Sequence, residues 1–230
     1  MRRWLRLLPL AVVLGCSSLE EGEAGIVALE VSFPAPAIVE VGETLQFSAR
    51  PLDKNGDSVA AEVAWRTPDA TITVDPVTGL VTGVSPGTGR VQAVSGSLTS
   101  DFVTLSVIAP ADTVIIVGDS IFTVPAGPTS APALVTRLES LAPAGPLATR
   151  PVIYRIISPD PTTPPLAVEL SDGTQADTVL TATDGTVSTV TVRRTAGGTA
   201  PVTAIVEVSA RRTRGAAVPG SGQRFTVSFE

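Results

Sequence analysis

Residues 44–50 read TLQFSAR, and this stretch decides the fold because apolar and polar side chains alternate without a break. In an extended chain the three apolar residues fall on one face and the four polar residues on the other. The same period of two recurs over residues 63–65 and 103–107. Such alternation is typical of strands that bury one face, so it predicts antiparallel sheets.

Turn signals separate these candidate strands. They are DKNGD at 53–57, PVTG at 76–79 and PGTG at 86–89, and the 20 Gly and 20 Pro are spread along the whole chain. The best stretch with a helical period, residues 134–141, is only about two turns long. Short strands with frequent turns predict an all-β sandwich architecture.

The blocks VGETL at 41–45, VAW at 63–65, VDPVTGLVTG at 74–83, and PGTG followed by VQA within 86–93 resemble the bacterial Ig-like domain, group 2. Their order and spacing fit that family over nearly all of residues 26–108. The resemblance implies a compact β-sandwich of the kind found in exported and surface proteins, where it serves as a spacer or adhesion module. Membership of the family does not by itself confer a ligand.

A second module is predicted over residues 112–230, after a hinge at 109–111 that is too short for free domain motion. The blocks GPLATRPVIY at 145–154, ATDGTV at 182–187 and VTA at 202–204 loosely resemble the Ig-like domains of intimin and invasin type, with a proline-rich insert at 159–165 as a departure. The predicted strands are 113–117, 121–124, 152–157, 166–170, 187–193, 202–210 and 225–229. The expected fold is two tandem Ig-like antiparallel β-sandwiches.

The first fifteen residues have the pattern of a secretory signal peptide. Three arginines precede an apolar run at 7–14 that is too short to span a membrane. The sequence VLGC at 13–16 resembles the lipobox of bacterial lipoproteins. That resemblance implies cleavage after Gly15, a diacylglyceryl group on the Cys16 thiol and an acyl chain such as palmitate on its new amino group. The alternative is an ordinary secretory signal with an incidental cysteine.

Residues 16–25 read CSSLEEGEAG and predict a flexible, lipidated tether, because they hold too little apolar surface to order themselves. Several acyl chains on Cys16 would hold the protein on a membrane. Ser17, where an aspartate favours retention at the inner membrane, is compatible with the outer membrane. The expected location is the bacterial cell envelope, facing the periplasm or the surface.

Charge and composition exclude several functions. Removal of residues 1–15 takes away three arginines and no acid, which changes the net charge from −6 to −9. An acidic chain repels phosphate backbones, so nucleic-acid binding is not expected. The chain has no histidine, and Cys16 is its only cysteine. We therefore expect no disulfide, no metal, no cofactor and no enzymatic activity, with only unusual carboxylate chemistry left open.

Two motifs superficially resemble functional sites. Residues 115–121, IIVGDSI, are similar to the nucleophile block of GDSL-type esterases, but Ser120 has no histidine to take its proton, so a turn at a strand end is the better interpretation. Residues 53–57 resemble the start of a calcium loop. Ser58 and Ala64 stand where that loop needs glycine and glutamate, and a hairpin turn at this position is favoured.

A few side chains could serve either binding or packing. Trp65 could be a sugar-stacking platform, but it shares a face with Val63 and is expected in the core. Besides Tyr154 and the phenylalanines, no other aromatic follows the signal peptide. The basic clusters at 193–194 and 211–214 are interpreted as a strand pair on alternate faces and a solvated loop, with an anionic polymer as the alternative partner.

The sequence therefore predicts a non-enzymatic, lipid-anchored envelope protein that acts as an adhesion, spacer or assembly module. Its partners would be the membrane, through the lipid on Cys16, and an unidentified protein or glycan. The alternative is a module that binds carbohydrate or a cell-wall polymer. Aromatic side chains are only 4% of the chain, so sugar platforms are scarce.

Overall fold

The computed structural model describes residues 25–162 and 165–230, and every regular element in them is a β-strand. The all-β prediction is confirmed. The strands of the first half are β1 (Ala28–Ser32), β2 (Ile38–Glu40), β3 (Thr44–Gln46), β4 (Ser48–Leu52), β5 (Ala64–Arg66), β6 (Ile72–Val74), β7 (Leu80–Gly83), β8 (Gly87–Ser95), β9 (Leu98–Thr99) and β10 (Val103–Ile108).

The first sandwich is built from three sets of paired strands. One sheet has the order β2-β10-β8-β5, with β9 paired to β8, and the others are β3-β7-β6 and the pair β1-β4. All of these pairs are antiparallel except β2 with β10, which run parallel. That parallel pairing sets Glu40 opposite Ile108, the last residue of β10, at the point where the chain leaves the sandwich.

The alternation that predicted the strands produces the core of this sandwich. Leu45, Phe47 and Trp65 are almost fully buried, and the Trp65 ring meets Phe47 edge-on with centroids 6.0 Å apart. Edge-to-face pairs of this kind stabilise a core beyond the area that they bury. Trp65 is therefore a core residue, as the sequence predicted, and not a sugar platform.

The second half holds eleven further strands. They are β11 (Thr113–Ile116), β12 (Ile121–Val124), β13 (Thr136–Leu141), β14 (Ala144–Pro146), β15 (Pro151–Ser158), β16 (Val168–Leu170), β17 (Ala176–Leu180), β18 (Thr186–Val187), β19 (Val192–Arg194), β20 (Val202–Ala210) and β21 (Gln223–Phe229). The order β12-β21-β20-β15-β17 forms the larger sheet; β11-β13-β14 with β18, and the pair β16-β19, complete the sandwich.

Both sandwiches use the same edge arrangement, because β12 runs parallel to the last strand β21 as β2 does to β10. The core of the second sandwich is separate from that of the first and is centred on Tyr154, which is fully buried. Its hydroxyl donates to the Leu134 carbonyl oxygen at 3.2 Å and also contacts the Thr136 hydroxyl. A buried tyrosine thus keeps its polar end satisfied.

Several strands differ from the predictions. The predicted strand at 187–193 is interrupted, because β18 ends at Val187 and β19 begins at Val192. Strand β16 starts two residues later than predicted, and β13, β14 and β17 are not among the predicted strands. Within the described residues no helix is long and apolar enough to cross a membrane.

Candidate functional site: the junction between the two sandwiches

The junction between the sandwiches is organised around Glu40, whose side chain is completely buried. It lies at the end of β2, beside the point where β10 runs into the linker at 109–112. A carboxylate in such a position is strongly disfavoured unless charged groups and hydrogen-bond donors surround it. The second sandwich supplies most of them.

Each carboxylate oxygen of Glu40 has its own set of partners. Oε2 accepts the backbone N–H of Ala111 at 2.8 Å. Oε1 accepts both the backbone N–H and the hydroxyl of Thr213, each at 3.2 Å, and lies 3.1 Å from Nη2 of Arg150. Arg212 approaches Oε2 more loosely, with Nε at 3.8 Å. The charge is therefore compensated by two guanidinium groups and three donors.

The same two arginines also bind the linker. Arg150 Nη2 donates to the carbonyl oxygen of Ala109 at 2.7 Å. Arg212 donates from Nε to the Ala111 carbonyl oxygen at 3.0 Å and from Nη2 to the Asp112 carboxylate at 2.7 Å. The residues between the sandwiches are thus held by side chains of the second one. The hinge predicted at 109–111 is thus hydrogen-bonded to Arg150 and Arg212.

A second carboxylate, Glu43, extends the contact. Its Oε2 accepts the backbone N–H of Glu40 at 3.0 Å, and its Oε1 accepts the backbone N–H of Arg214 at 3.1 Å. Arg214 in turn donates from Nη2 to the carbonyl oxygens of Pro36 and Ile38, each at 2.6 Å. The loop at 211–214 therefore donates hydrogen bonds both to the Glu43 side chain and to backbone carbonyl groups in and next to β2. We refer to Glu40, Glu43, Arg150, Arg212, Thr213 and Arg214 as the junction cluster.

The prediction of a solvated loop at 211–214 is wrong for three of its residues. Arg212, Thr213 and Arg214 face the first sandwich and make the contacts just described. The alternative of an anionic polymer as their partner is therefore not supported at those positions. Arg211 alone fits the prediction, since it is exposed and its side chain donates to the Gly215 carbonyl oxygen within its own turn. This loop joins β20 to β21. It lies against the first sandwich because the buried carboxylate of Glu40 accepts hydrogen bonds from its donors.

Strained backbone holds Arg150 in position. The preceding residue, Thr149, has a φ of 58°, which a β-branched residue rarely adopts. Three hydrogen bonds to Thr181 fix this turn: the N–H groups of Thr149 and Arg150 donate to the Thr181 carbonyl oxygen and hydroxyl, and the Thr181 N–H donates to the Arg150 carbonyl oxygen. Strain that persists at one residue points to a constraint imposed by its surroundings. Here the constraint aims the guanidinium at Glu40.

Next to the cluster lies a cleft of about 420 Å³ between the two sandwiches. Its lining is mainly apolar and includes Ile38, Ile108 and Leu147. Arg150 and Thr213 border it from the charged side. Glu40 itself is fully buried, so its attraction to the arginines is screened less than it would be at the surface.

The other residues singled out in the sequence have structural roles. Ser120 lies at a strand junction, where its carbonyl oxygen accepts the N–H of Thr226. Asp53 accepts the backbone N–H groups of Asn55 and Asp57, each at 2.9 Å, in a turn that closes a hairpin. These bonds hold the pKa of Asp53 below its usual value, the Asp57 N–H being the largest cause. This is turn chemistry and does not create a cation site.

The basic pair at 193–194 behaves as predicted for a strand. Arg193 is exposed and bonds to Glu169 on the neighbouring strand at 2.8 Å, whereas Arg194 points to the other face and is half-buried. The proposed lipidation site, Gly15 and Cys16, lies outside the described residues. It stays a prediction from the sequence.

The fold and the junction define the class: tandem Ig-like β-sandwiches that contact each other through the junction cluster. The family model of the bacterial Ig-like domain (group 2) matches residues 30–107, so the first sandwich is a domain of that family, as the sequence motifs indicated. Domains of this family suggest a cell-surface adhesion or structural module. A search of the curated proteins finds no match.

Solved structures resemble the chain more distantly. The adhesin InvE of Yersinia pseudotuberculosis is 18% identical over 91% of this chain and 61% of its own, with a TM-score of 0.39. Domains 4 and 5 of the S-layer protein SbsC are 16% identical over 90% of this chain and 99% of their own, with a TM-score of 0.34. Three N-terminal domains of the outer capsid protein Hoc of bacteriophage RB49 are 12% identical over 88% of this chain and 70% of their own, with a TM-score of 0.41.

Proposed function

We propose that this protein is a lipid-anchored, non-enzymatic spacer of the bacterial cell envelope, attached through Cys16, that presents an adhesive or assembly surface at a fixed distance from the membrane. The observation that carries the proposal is the buried carboxylate of Glu40. Two domains that move freely relative to each other do not need a fully buried charge between them. Two domains held in one orientation do need specific contacts, such as those of Glu40 with Arg150 and Thr213.

The physical chemistry of the joint supports rigidity. Bending the sandwiches apart would break the bonds of Glu40 to Ala111, Thr213 and Arg150 together. A hydrogen bond to a charged group typically contributes about 1.5–3 kcal/mol, and bending would break several of them at once. Flexed states would therefore be rare, and the far end of the second sandwich would keep a constant position relative to the first.

The second sandwich has no equivalent of the junction cluster at its own far end. There β12 ends at Val124, which occupies the place of Glu40, and Gly127 stands where the first sandwich has Glu43. The two ends of the second sandwich therefore differ in the contacts that they can make.

The anchor is tested by comparing the native chain with Cys16→Ser in intact cells and in membrane fractions. We expect the native protein in the membrane fraction and the variant in the soluble fraction or the medium, since the variant has no thiol to acylate. Retention of Cys16→Ser in the membrane would contradict anchoring through this residue. Digestion of intact cells by an added protease then distinguishes surface exposure from a periplasmic orientation.

A further inference from the structure

The outer face of the first sandwich carries an arginine that is held in place and has no ion pair within residues 25–162 and 165–230. Arg66 on β5 is paired in register with Gln92 on β8. The Gln92 side-chain oxygen accepts both Nε and Nη2 of Arg66, at 2.9 and 2.7 Å. Gln92 is itself only 7% exposed, and its amide donates to the Ser100 carbonyl oxygen at 2.6 Å. The guanidinium is thus oriented by a buried amide.

Arg66 retains binding capacity in this position. A guanidinium has five N–H groups, and Gln92 accepts two of those of Arg66. The remaining N–H groups have no partner in residues 25–162 and 165–230. Arg90, on the same face, differs: its guanidinium is neutralised by Asp69, with Nη2 2.8 Å from the carboxylate. A guanidinium that is oriented in this way and has unused N–H groups can bind an external carboxylate.

An exposed aromatic ring stands beside this arginine. Phe102, just before β10, is 47% exposed and lines the same pocket as Arg66. The Arg90 guanidinium lies over one face of its ring, 5.3 Å from the centroid. Arg66, Gln92 and Phe102, together with Thr67 and Pro68, line a pocket of about 240 Å³. We call it the Arg66 pocket. It combines a flat apolar surface, a free guanidinium and a polar rim in a volume suited to one small ring.

We propose that the Arg66 pocket binds a uronic acid residue of a polysaccharide. The carboxylate would be held by the free N–H groups of Arg66, and the apolar C–H face of the sugar ring would lie on Phe102. Hydrogen bonds between arginine and carboxylate are among the stronger ones in proteins. A uronic acid offers the charge and the flat apolar face on one rigid ring, whereas an aspartate or glutamate side chain offers only the charge. The pocket shares no residue with the junction cluster, so this inference goes beyond the spacer role.

The test is a titration of the full-length, ¹⁵N-labelled chain with trigalacturonic acid, followed by calorimetry and by the Nε–Hε resonance of Arg66. Two matched probes accompany it: neutral galactotriose and triglutamate. We expect saturable binding of trigalacturonic acid with a shift of the Arg66 resonance. Both matched probes should bind about tenfold more weakly or worse, because each lacks one of the two recognised features.

Arg66→Gln should weaken binding of trigalacturonic acid about tenfold or more, and Phe102→Ser should weaken it as well. The matched control is Arg155→Gln, which removes the same charge from an exposed position in the second sandwich and should leave binding unchanged. In a Trp4→Phe background, unchanged Trp65 and Tyr154 fluorescence show that the first and the second sandwich, respectively, are folded in the variants. The proposal is overturned by a lack of saturable binding, by equal effects of Arg66→Gln and Arg155→Gln, or by equal affinity for either matched probe.

Discussion

Glu40 and Thr213 meet at the junction although 173 positions separate them in the chain. The backbone N–H and the hydroxyl of Thr213 both lie 3.2 Å from Glu40 Oε1. Glu40 ends the second strand of one sandwich, and Thr213 lies in the last loop of the other. A contact between these residues forms only when the two domains adopt one relative orientation, which makes it the structural basis of the proposed spacer.

Replacement of Glu40 by alanine should weaken the junction strongly. The variant leaves Arg150 at the interface without its counter-charge, whereas Arg212 keeps Asp112. We therefore expect a loss of about 3–5 kcal/mol in the free energy of unfolding. Denaturant unfolding can be followed separately in each sandwich, because Tyr154 is the only tyrosine and, with Trp4→Phe, Trp65 is the only tryptophan. The two transitions should coincide in the parent and separate in Glu40→Ala.

The matched control for that variant is Glu30→Ala. Glu30 forms a comparable ion pair with Arg50, at 2.7 Å, but on the surface, where both side chains are more than half exposed. Exposed pairs contribute about 0–1 kcal/mol. If Glu40→Ala costs no more than Glu30→Ala, the junction cluster does not couple the sandwiches.

Gly79→Ala should destabilise the first sandwich. Gly79 has a φ of +74°, and a Cβ there would lie 2.6 Å from Nε1 of Trp65 and 2.8 Å from the Phe47 carbonyl oxygen. Backbone strain and overpacking together should cost about 2–5 kcal/mol. Gly56→Ala is the control, since its φ is +85° but no atom lies within 4 Å of the added Cβ. It should lose only about 1–2 kcal/mol, measured by Trp65 fluorescence during denaturation.

Thr149→Asn should stabilise the second sandwich slightly. Asparagine tolerates the left-handed backbone conformation better than a β-branched residue, and Thr149 is exposed, so no packing is lost. We expect a gain of about 0.5–1 kcal/mol, measured by denaturant unfolding with Tyr154 as the reporter. A loss of stability would show that the Thr149 side chain has a role that the backbone geometry does not reveal.

Tyr154 should make the second sandwich sensitive to alkaline pH. Burial raises its pKa to about 12, with Asp177 adding to the effect and the Thr136 hydroxyl opposing it. A raised folded-state pKa means that this stabilisation is complete below pH 10, the pKa in the unfolded chain, and is lost as pH rises toward 12. The total loss is about 3 kcal/mol. Tyrosinate absorbance during a pH titration checks the pKa, and Tyr154→Phe should unfold without this pH dependence.

The alternation of apolar residues is sufficient to predict most of the first sandwich. Leu45 and Phe47 are two positions apart and therefore lie on the same face of an extended chain. Their spacing predicts both that the segment is a strand and that this face is buried in the core. Residues 134–141 were the best candidate for a helix, yet Thr136–Leu141 forms β13, with every second residue buried. The pairing of β13 with β11 and β14 overrides a weak helical period.

The junction cluster could not be predicted in the same way. Glu40 follows apolar residues in a short strand, and nothing local distinguishes its carboxylate from a solvated one. Its partners, Arg150 and Arg212, lie more than a hundred positions away, so only the docking of the two domains brings them together. The spacing of apolar residues does contain one overlooked signal. Since Val103 and Leu105 point inward, the residue before them, Phe102, must be on the outer face.

The most direct test of the central claim is the distance between spin labels placed on the two sandwiches. With Cys16→Ser the chain has no native cysteine, and Thr104→Cys and Thr178→Cys add labels at exposed positions on β10 and β17. We expect one narrow distance distribution, which broadens when Glu40→Ala is added. A distribution that is already broad with Glu40 present, and that this substitution leaves unchanged, would contradict a rigid junction.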